Sequence, residues 1–180
     1  MCGQEAASQL GLDLVIVIPV SVPPHKDLEY DPGAEVRLGL CRAAVAGDPR
    51  FEVSSLEVDR GGPSYTVDTL KELKTLRPHD RLTLIVGADA AHGLASWREP
   101  ETVLDMSRIA VGEREGVRRD DIIQRLRTLR GASSHLDFFA MPRLDISSSD
   151  IRRRVAQGRP IRHLVPESVR SEIEERGLYR

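Results

Sequence analysis

A cluster of hydroxyl and guanidinium groups near residue 150 has the composition of a phosphate-binding site. Three consecutive serines, Ser147, Ser148 and Ser149, open a helix-like stretch, and Arg152 follows one turn later. Phosphate oxygens accept hydrogen bonds from hydroxyls, from the free N–H groups of a helix start and from the planar fork of an arginine. Helix capping would account for one serine, but not for three serines and the arginine. The segment therefore favours a polyphosphate site.

A second segment combines a carboxylate with the only tryptophan of the chain. Asp89 follows an apolar run at residues 82–86 after Gly87 and Ala88, and Trp97 comes eight residues later. An acidic residue at the carboxyl end of a parallel strand commonly binds a ribose hydroxyl, and an indole can stack on a flat aromatic ring. A tryptophan that fills the core is an equally good interpretation of Trp97.

Two further segments could bind anions, although each has an ordinary alternative. Gly61 and Gly62 would let the backbone approach a ligand, and Ser64 or Thr66 could cap the helix that follows. An ordinary capped helix start explains this segment at least as well. Lys26 ends a Pro-Pro-His-Lys loop and offers a mobile charge suited to phosphate, but such a loop is more often a stiff surface connection.

All four segments follow or lie between predicted strands and helices. The predicted strands span residues 14–18, 51–58, 82–86, 109–111 and 136–140. The predicted helices span residues 35–46 and 66–76, a stretch around residues 151–155 that Gly158 closes, and a last helix from Pro166 to Gly177. This alternation predicts an α/β fold with an open parallel sheet and helices on both faces. Ligands of such sheets bind beyond the carboxyl ends of the strands.

Composition excludes several classes of protein. The 180 residues suffice for one domain over residues 1–180, and 40% hydrophobic and 30% charged residues are typical of a folded, soluble chain. A net charge of −2 gives no field towards nucleic acid or membrane. Neither the two cysteines nor the histidines have metal-site spacing, and five arginines between residues 118 and 130 are interpreted as a solvated helix face. We expect a cytoplasmic domain with no nucleic-acid or membrane partner.

Together these segments resemble the bacterial nicotinate-mononucleotide adenylyltransferases of the nucleotidyltransferase superfamily. The matching motifs occur in the family's order and cover nearly the whole chain. They are IP at residues 18–19 with PPHK at 23–26, RGGPSYTVDTL at 60–70, GAD at 87–89 with LASW at 94–97, ISSSDIR at 146–152, and LVPESV at 164–169. Five motifs in one order make the resemblance specific.

The resemblance implies a Rossmann-like fold and transfer of AMP from ATP to nicotinate mononucleotide, giving deamido-NAD and pyrophosphate with Mg²⁺ bound to ATP. By this resemblance, Ser148, Ser149 and Arg152 would hold the ATP phosphates, and Lys26 would add positive charge. No protein nucleophile is needed, because positioning and charge stabilisation suffice. ATP and nicotinate mononucleotide would be the partners, and a homo-oligomer is compatible with the family.

The same resemblance assigns the mononucleotide to three residues of the chain's middle. Thr66 would lie near the pyridine carboxylate, Asp89 would bind the mononucleotide, and Trp97 would lie against the pyridine ring. Arg114 lies where the family often has an Arg-Pro-Gly turn, but here Glu-Gly follows it, so its role is left open.

The sequence departs from the family at one important motif. The family begins with a strand and a glycine-rich loop ending in His-x-Gly-His, whose histidines stabilise the transferred phosphoryl group, and this motif does not occur in the 180 residues. Residues 1–5 are predicted to lie inside the first helix. We therefore expect the first strand and the catalytic histidines in a segment upstream of Met1, and we assign no catalytic residue.

Two other functions fit the sequence. The chain could be a truncated or degenerate nucleotide-binding module without turnover. It could also be a sister adenylyltransferase such as the pantetheine-phosphate enzyme, although Ser-Tyr-Thr at residues 64–66 and Ser-Trp at 96–97 argue against this. Preference for a nicotinate or a nicotinamide ring is not fixed by these motifs.

Overall fold

The computed structural model describes residues 1–23, 31–113, 118–143 and 145–180, and the chain divides into two compact units. The first, called here the three-stranded unit, comprises Met1–Asp13 and Tyr65–Arg143. The second, the two-stranded unit, comprises Leu14–Ser64 and Leu144–Arg180. This division does not test the expectation of a single domain over residues 1–180, which stays a prediction.

Strands and helices alternate along the chain, as predicted for an α/β fold. The strands are β1 Val15–Val17, β2 Phe51–Val53, β3 Leu82–Gly87, β4 Ser107–Glu113 and β5 Leu136–Ala140. The helices are α1 Cys2–Leu10, α2 Ala34–Val45, α3 Leu56–Arg60, α4 Thr66–Leu76, α5 Ala88–His92, α6 Pro100–Met106, α7 Arg119–Arg125, α8 Ala132–His135, α9 Ser148–Ala156 and α10 Glu167–Glu175. Short 3₁₀ turns occupy Leu94–Ser96 and Leu126–Thr128.

The core of the three-stranded unit is built around β4, which pairs in parallel with β3 and β5. Successive side chains of a strand point to opposite faces. Ile109 and Val111 pack in the large core under α4, α5 and α6, whereas Ala110 packs with Ala6 of α1 and with Phe139 on the other face. Helices therefore cover both faces of this sheet, as expected.

Helix α1 is joined to the last strand of the same unit by two hydrogen bonds. The side-chain amide of Gln9 donates to the Ala140 carbonyl at 2.9 Å, and the Ala140 N–H donates to the Gln9 Oε1 at 3.0 Å. The partners are 131 residues apart. Helix α1 confirms the helix predicted for residues 1–5. Its position depends on bonds to strand β5, near residue 140.

In the two-stranded unit, β1 and β2 pair in parallel. Its helices share a core in which Ile151 of α9, Ile161 and Ile173 of α10 are buried, with Leu40 of α2 packed against them. This core supports the start of α9, where the predicted polyphosphate site lies.

Several predicted elements are confirmed. Helix α4 has the predicted bounds, and its predicted apolar stripe, Val67, Leu70 and Leu73, is buried. Strand β5 matches residues 136–140. Gly158 adopts a φ of 66° just after α9, a conformation that glycine reaches without strain.

The predicted strand at residues 51–58 is wrong in its second half. Strand β2 ends at Val53, and helix α3 begins at Leu56. Local hydrogen bonds favour the turn, because the Ser54 hydroxyl accepts the Leu56 N–H at 3.3 Å and the Ser55 hydroxyl donates to Asp59 at 2.6 Å. Such bonds offer the backbone an alternative to a sheet ladder. The predicted strand at residues 109–111 was too short, since β4 spans seven residues.

No helix in the described ranges combines the length and apolar character needed to cross a membrane.

Candidate functional site

The serine cluster at the start of α9 has one capping serine and two exposed ones. Ser147 is the N-cap, and its hydroxyl accepts the Asp150 N–H at 3.1 Å. Ser148 and Ser149 are the first helical residues and are exposed. The Arg152 guanidinium donates to the Ser149 hydroxyl at 3.2 Å. Capping thus uses one serine, and two hydroxyls with an arginine remain on one turn, as the sequence predicts.

Arg152 borders a pocket of about 300 Å³ within the two-stranded unit. Its polar lining comprises Ser147, Ser148, Arg152 and Tyr179, and the rest of the wall is apolar. Arg152 is half-buried, so its charge is less screened than that of an exposed arginine. This increases its value for binding an anion.

The charge of Arg152 affects the pKa of two residues outside the predicted site, Asp31 and Tyr179. Burial raises the pKa of the Asp31 carboxyl, but hydrogen bonds from the Gly33 N–H and the Arg37 guanidinium outweigh it. The charges of Arg37 and Arg152 act in the same direction, so the pKa of Asp31 lies below its ordinary value. Burial raises the pKa of the Tyr179 phenol, and the nearby charge of Arg152 opposes this. Arg152 therefore belongs to a charge cluster.

Arg37 of α2 organises the loop that follows β1. Its side chain is only 16% exposed. One guanidinium nitrogen donates to the carbonyls of Val20 and Ser21 at 2.8 and 2.7 Å, and the other pairs with Asp31. Asp31 in turn accepts the Gly33 N–H at 3.0 Å. Nothing in the sequence pattern singles out Arg37, because a single arginine in an amphipathic helix resembles an ordinary surface charge.

The start of α4 differs from the prediction that Ser64 or Thr66 caps it. Tyr65 occupies the N-cap position, and no side chain makes a capping bond. The buried Ser64 hydroxyl instead accepts the Ser21 N–H at 2.8 Å, and Thr66 is the first helical residue. The first N–H groups of a helix have no acceptor within it, so this uncapped start can still accept an anion.

Asp89 and Trp97 lie where the strand-end argument places them. Asp89 is exposed in the first turn of α5, directly after β3. Trp97 follows the 3₁₀ turn and is half-buried, with part of its surface packed on the large core of the three-stranded unit. The core-filling interpretation of Trp97 is therefore confirmed in part, and stacking of its exposed surface on a ligand stays a prediction.

The two units hold different parts of the predicted site. Thr66, Asp89 and Trp97 belong to the three-stranded unit, whereas the α9 serines and Arg152 belong to the two-stranded unit. Lys26 and Arg114 lie outside the described residues. Within the ranges that the structure describes, no group of three or more histidine, cysteine or acidic side chains is arranged to hold a metal ion.

One arginine of the predicted solvated face is more engaged than expected. Arg119 lies 4.5 Å from the centroid of the Phe138 ring and pairs with Glu113 at 3.1 Å. Its neighbour Arg118 is 3.9 Å from Asp120, and both side chains are at least 80% exposed. Arg119 is also exposed, with 51% of its side chain accessible, so the solvated-face interpretation fits both arginines, and Arg119 makes two contacts besides.

Comparison with known proteins identifies the family. Residues 3–154 match the cytidylyltransferase-like family. A relative from Desulfitobacterium hafniense is 42% identical over 181 residues, covering 100% of this chain and 87% of the relative. One from Roseiflexus sp. is 44% identical, covering 98% and 88%, and both are named "Probable nicotinate-nucleotide adenylyltransferase". The chain belongs to the nicotinate-nucleotide adenylyltransferase family.

Solved structures confirm the fold. A nicotinic acid mononucleotide adenylyltransferase from Plasmodium falciparum, complexed with NaAD, is 17% identical and superposes with a TM-score of 0.75. The match covers 99% of this chain and 90% of that one. The same enzyme complexed with APC gives a TM-score of 0.76. The predicted Rossmann-like fold is therefore confirmed.

Proposed function

We propose that this protein transfers AMP from ATP to nicotinate mononucleotide, yielding deamido-NAD and pyrophosphate. Family membership over the whole chain supports the reaction. The start of α9 is the observation that carries it, because only Ser147 of three serines is used as a cap. Two exposed hydroxyls and the guanidinium of Arg152 are left on one turn for the polyphosphate chain of ATP.

The reaction needs positioning more than covalent chemistry from the protein. A phosphate oxygen of the mononucleotide attacks the α-phosphorus of ATP in line with the bond to the β-phosphate. That bond breaks, its electrons leave on pyrophosphate, and a phosphoanhydride forms between the two mononucleotides. The barrier falls when the two anions are held in line and their charge is neutralised.

Ser148, Ser149 and Arg152 are assigned to the triphosphate. The serine hydroxyls and the first N–H groups of α9 donate to phosphate oxygens, and the guanidinium adds charge and a planar fork. Asp31 opposes this charge in part, so we expect it to keep Arg152 oriented. Lys26 is expected to supply further positive charge.

Thr66, Asp89 and Trp97 are assigned to the mononucleotide. The uncapped start of α4 suits the carboxylate of a nicotinate ring, because a helix N-terminus carries a partial positive charge. The exposed carboxylate of Asp89 suits a ribose hydroxyl, and the exposed surface of Trp97 suits a flat pyridine ring.

Mg²⁺ is expected to enter bound to ATP. The arginine assigned to the triphosphate binds phosphate oxygens rather than a cation, and Mg²⁺ commonly keeps water and phosphate ligands. Bound in this way, it would neutralise charge on the leaving pyrophosphate. A cytoplasmic location and a homo-oligomer belong to the same proposal.

The test is pyrophosphate release from ATP with three acceptors: nicotinate mononucleotide, nicotinamide mononucleotide and phosphopantetheine. We expect release with nicotinate mononucleotide, abolished by EDTA and restored by Mg²⁺. Release only with phosphopantetheine would replace the proposal by the sister enzyme.

Binding without turnover is the second candidate, because the 180 residues contain no His-x-Gly-His motif. Calorimetric titration with ATP and with nicotinate mononucleotide separates it from catalysis. Heats of binding with no pyrophosphate release would select the binding module.

A further inference from the structure

The backbone next to Trp97 adopts an unfavourable conformation. Glu99 has φ 49° and ψ 57°, in the left-handed region, and Pro100 follows it as the first residue of α6. Left-handed backbone is rare for residues with a side chain, and a following proline restricts it further towards extended conformations. Such a residue persists only where its surroundings hold it in place, and such residues cluster at ligand sites.

Contacts of the Arg98 and Glu99 side chains with α4 stabilise this backbone conformation. Lys71 donates to the Glu99 carboxylate at 2.8 Å. The Arg98 guanidinium lies 4.8 Å from the centroid of the Tyr65 ring and 3.5 Å from the Asp68 carboxylate. The hydrogen bond from the Lys71 ammonium lowers the pKa of Glu99, so the carboxylate is charged at neutral pH.

The three contacted residues form one stripe of α4. Tyr65, Asp68 and Lys71 recur at three-residue spacing and so lie on one side of the helix. Thr66, the residue assigned to the pyridine carboxylate, belongs to the same first turn. The segment carrying Trp97 is therefore fixed to the helix that starts at Thr66.

We propose that Arg98 and Glu99 are positioning residues that fix Trp97 against α4 for stacking on the pyridine ring. The inference rests on the proposed function, since it takes Trp97 as the ring-binding residue. The side chains of Arg98 and Glu99 act through their contacts with α4. They orient the indole, and their loss lowers affinity for the mononucleotide alone.

The test uses the emission of Trp97, the only tryptophan. The full chain is titrated with nicotinate mononucleotide, and the Kd is taken from quenching, while the Kd for ATP is measured by calorimetry. We expect Lys71→Met and Arg98→Met each to weaken mononucleotide binding about two- to fivefold, the range for partly exposed ion pairs. Emission anisotropy of Trp97 should fall, and the Kd for ATP should stay within about twofold.

Charge reversal provides a rescue, and a distant ion pair provides a matched control. Lys71→Glu should weaken mononucleotide binding, and the double variant Lys71→Glu with Glu99→Lys should restore it. Arg108→Met breaks an ion pair with Asp137, whose bonds are 2.5 and 2.7 Å long, in the same unit. We expect that variant to bind both nucleotides as the wild type does.

The outcomes separate the two proposals. Unchanged Kd and anisotropy in Lys71→Met and Arg98→Met, in a wild type that binds the mononucleotide, would overturn the positioning role alone. An equal loss in Arg108→Met, or in ATP binding, would overturn it too by indicating general destabilisation. A wild type that binds no mononucleotide would overturn the proposed function itself.

Discussion

The α9 start and the Trp97 segment bind different nucleotides in our proposal, and they are built in different ways. The α9 start is local, since its cap, its hydroxyls and Arg152 lie within six consecutive residues. The Trp97 segment is assembled from residues far apart in sequence, and its tie between Lys71 and Glu99 spans 28 positions. Substitutions at the first should act on one ligand directly, whereas those at the second should act through geometry.

The largest expected effect is at Arg152. Arg152→Met should lower kcat/KM for ATP by on the order of 10- to 100-fold, because a charged hydrogen-bonding group is lost. The kcat/KM of Arg152→Lys should lie between those of the wild type and Arg152→Met, since lysine keeps the charge without the planar fork. Steady-state kinetics at saturating mononucleotide measures both.

Arg153→Met is the control on the same helix, because Arg153 is exposed and pairs with Asp150 at 2.5 Å. It should leave ATP kinetics unchanged. Wild-type ATP kinetics in Arg152→Lys would mean that Arg152 acts only as a surface charge.

The α9 start is local in sequence, but it is linked to Arg37 of α2, because Asp31 interacts with both Arg37 and Arg152. Arg37→Met removes bonds to two carbonyls and the ion pair with Asp31. We expect the free energy of unfolding to fall by ~2–3 kcal/mol and the Tm by roughly 5–10 °C. Thermal unfolding by circular dichroism measures this. Arg42→Met on the exposed face of α2 should change little, and an equal loss there would remove the special role of Arg37.

Trp97→Ala should weaken mononucleotide binding by roughly several-fold to tenfold, since a ring stack is worth on the order of 1 kcal/mol. ATP binding should be far less affected. Trp97→Phe keeps a flat ring and should retain most of the affinity. Calorimetry measures all three proteins, and unchanged mononucleotide binding in Trp97→Ala would rule out the stacking role.

The smallest expected effect is a pH dependence at Asp31, which faces Arg37, Arg152 and Tyr179. Its pKa is lowered in the folded protein. The stabilisation is therefore complete above the ordinary aspartate pKa and is lost as the pH falls through the lowered value. Asp31→Asn should have a lower Tm than the wild type at neutral pH, and the two should converge in acid. A constant difference down to the most acidic pH would contradict the assignment.

Local patterns predicted the parts of the molecule that depend on near neighbours. The bounds of α4 and the Ser-Ser-Ser-Asp start of α9 depend on contacts within one or two turns, so sequence alone placed them. Ser64 was assigned to the helix start, but its hydroxyl accepts an N–H from Ser21, 43 residues away. The bonds of Arg37 to Val20 and Ser21 span 17 and 16 residues, and the ion pair of Arg98 with Asp68 also joins distant parts of the chain, so no spacing rule reveals them.

The roles of the assigned residues follow the same division. The position of Asp89 was predictable because polar residues that follow parallel strands lie at one edge of a sheet. The roles of Thr66, Asp89 and Ser149 stay predictions, since they depend on nucleotides bound to the protein. The measurements above test the assignments to Arg152 and Trp97.

The bonds between Gln9 and Ala140 have a consequence for synthesis on the ribosome. Helix α1 emerges about 130 residues before the strand that bonds to Gln9. At roughly 5–20 residues per second, the part of α1 that packs against β5 lacks its partner for about 6–26 s. Contacts between distant residues also slow folding after release. The nascent chain should therefore be vulnerable to chaperone capture and proteolysis at helix α1 until strand β5 has left the exit tunnel.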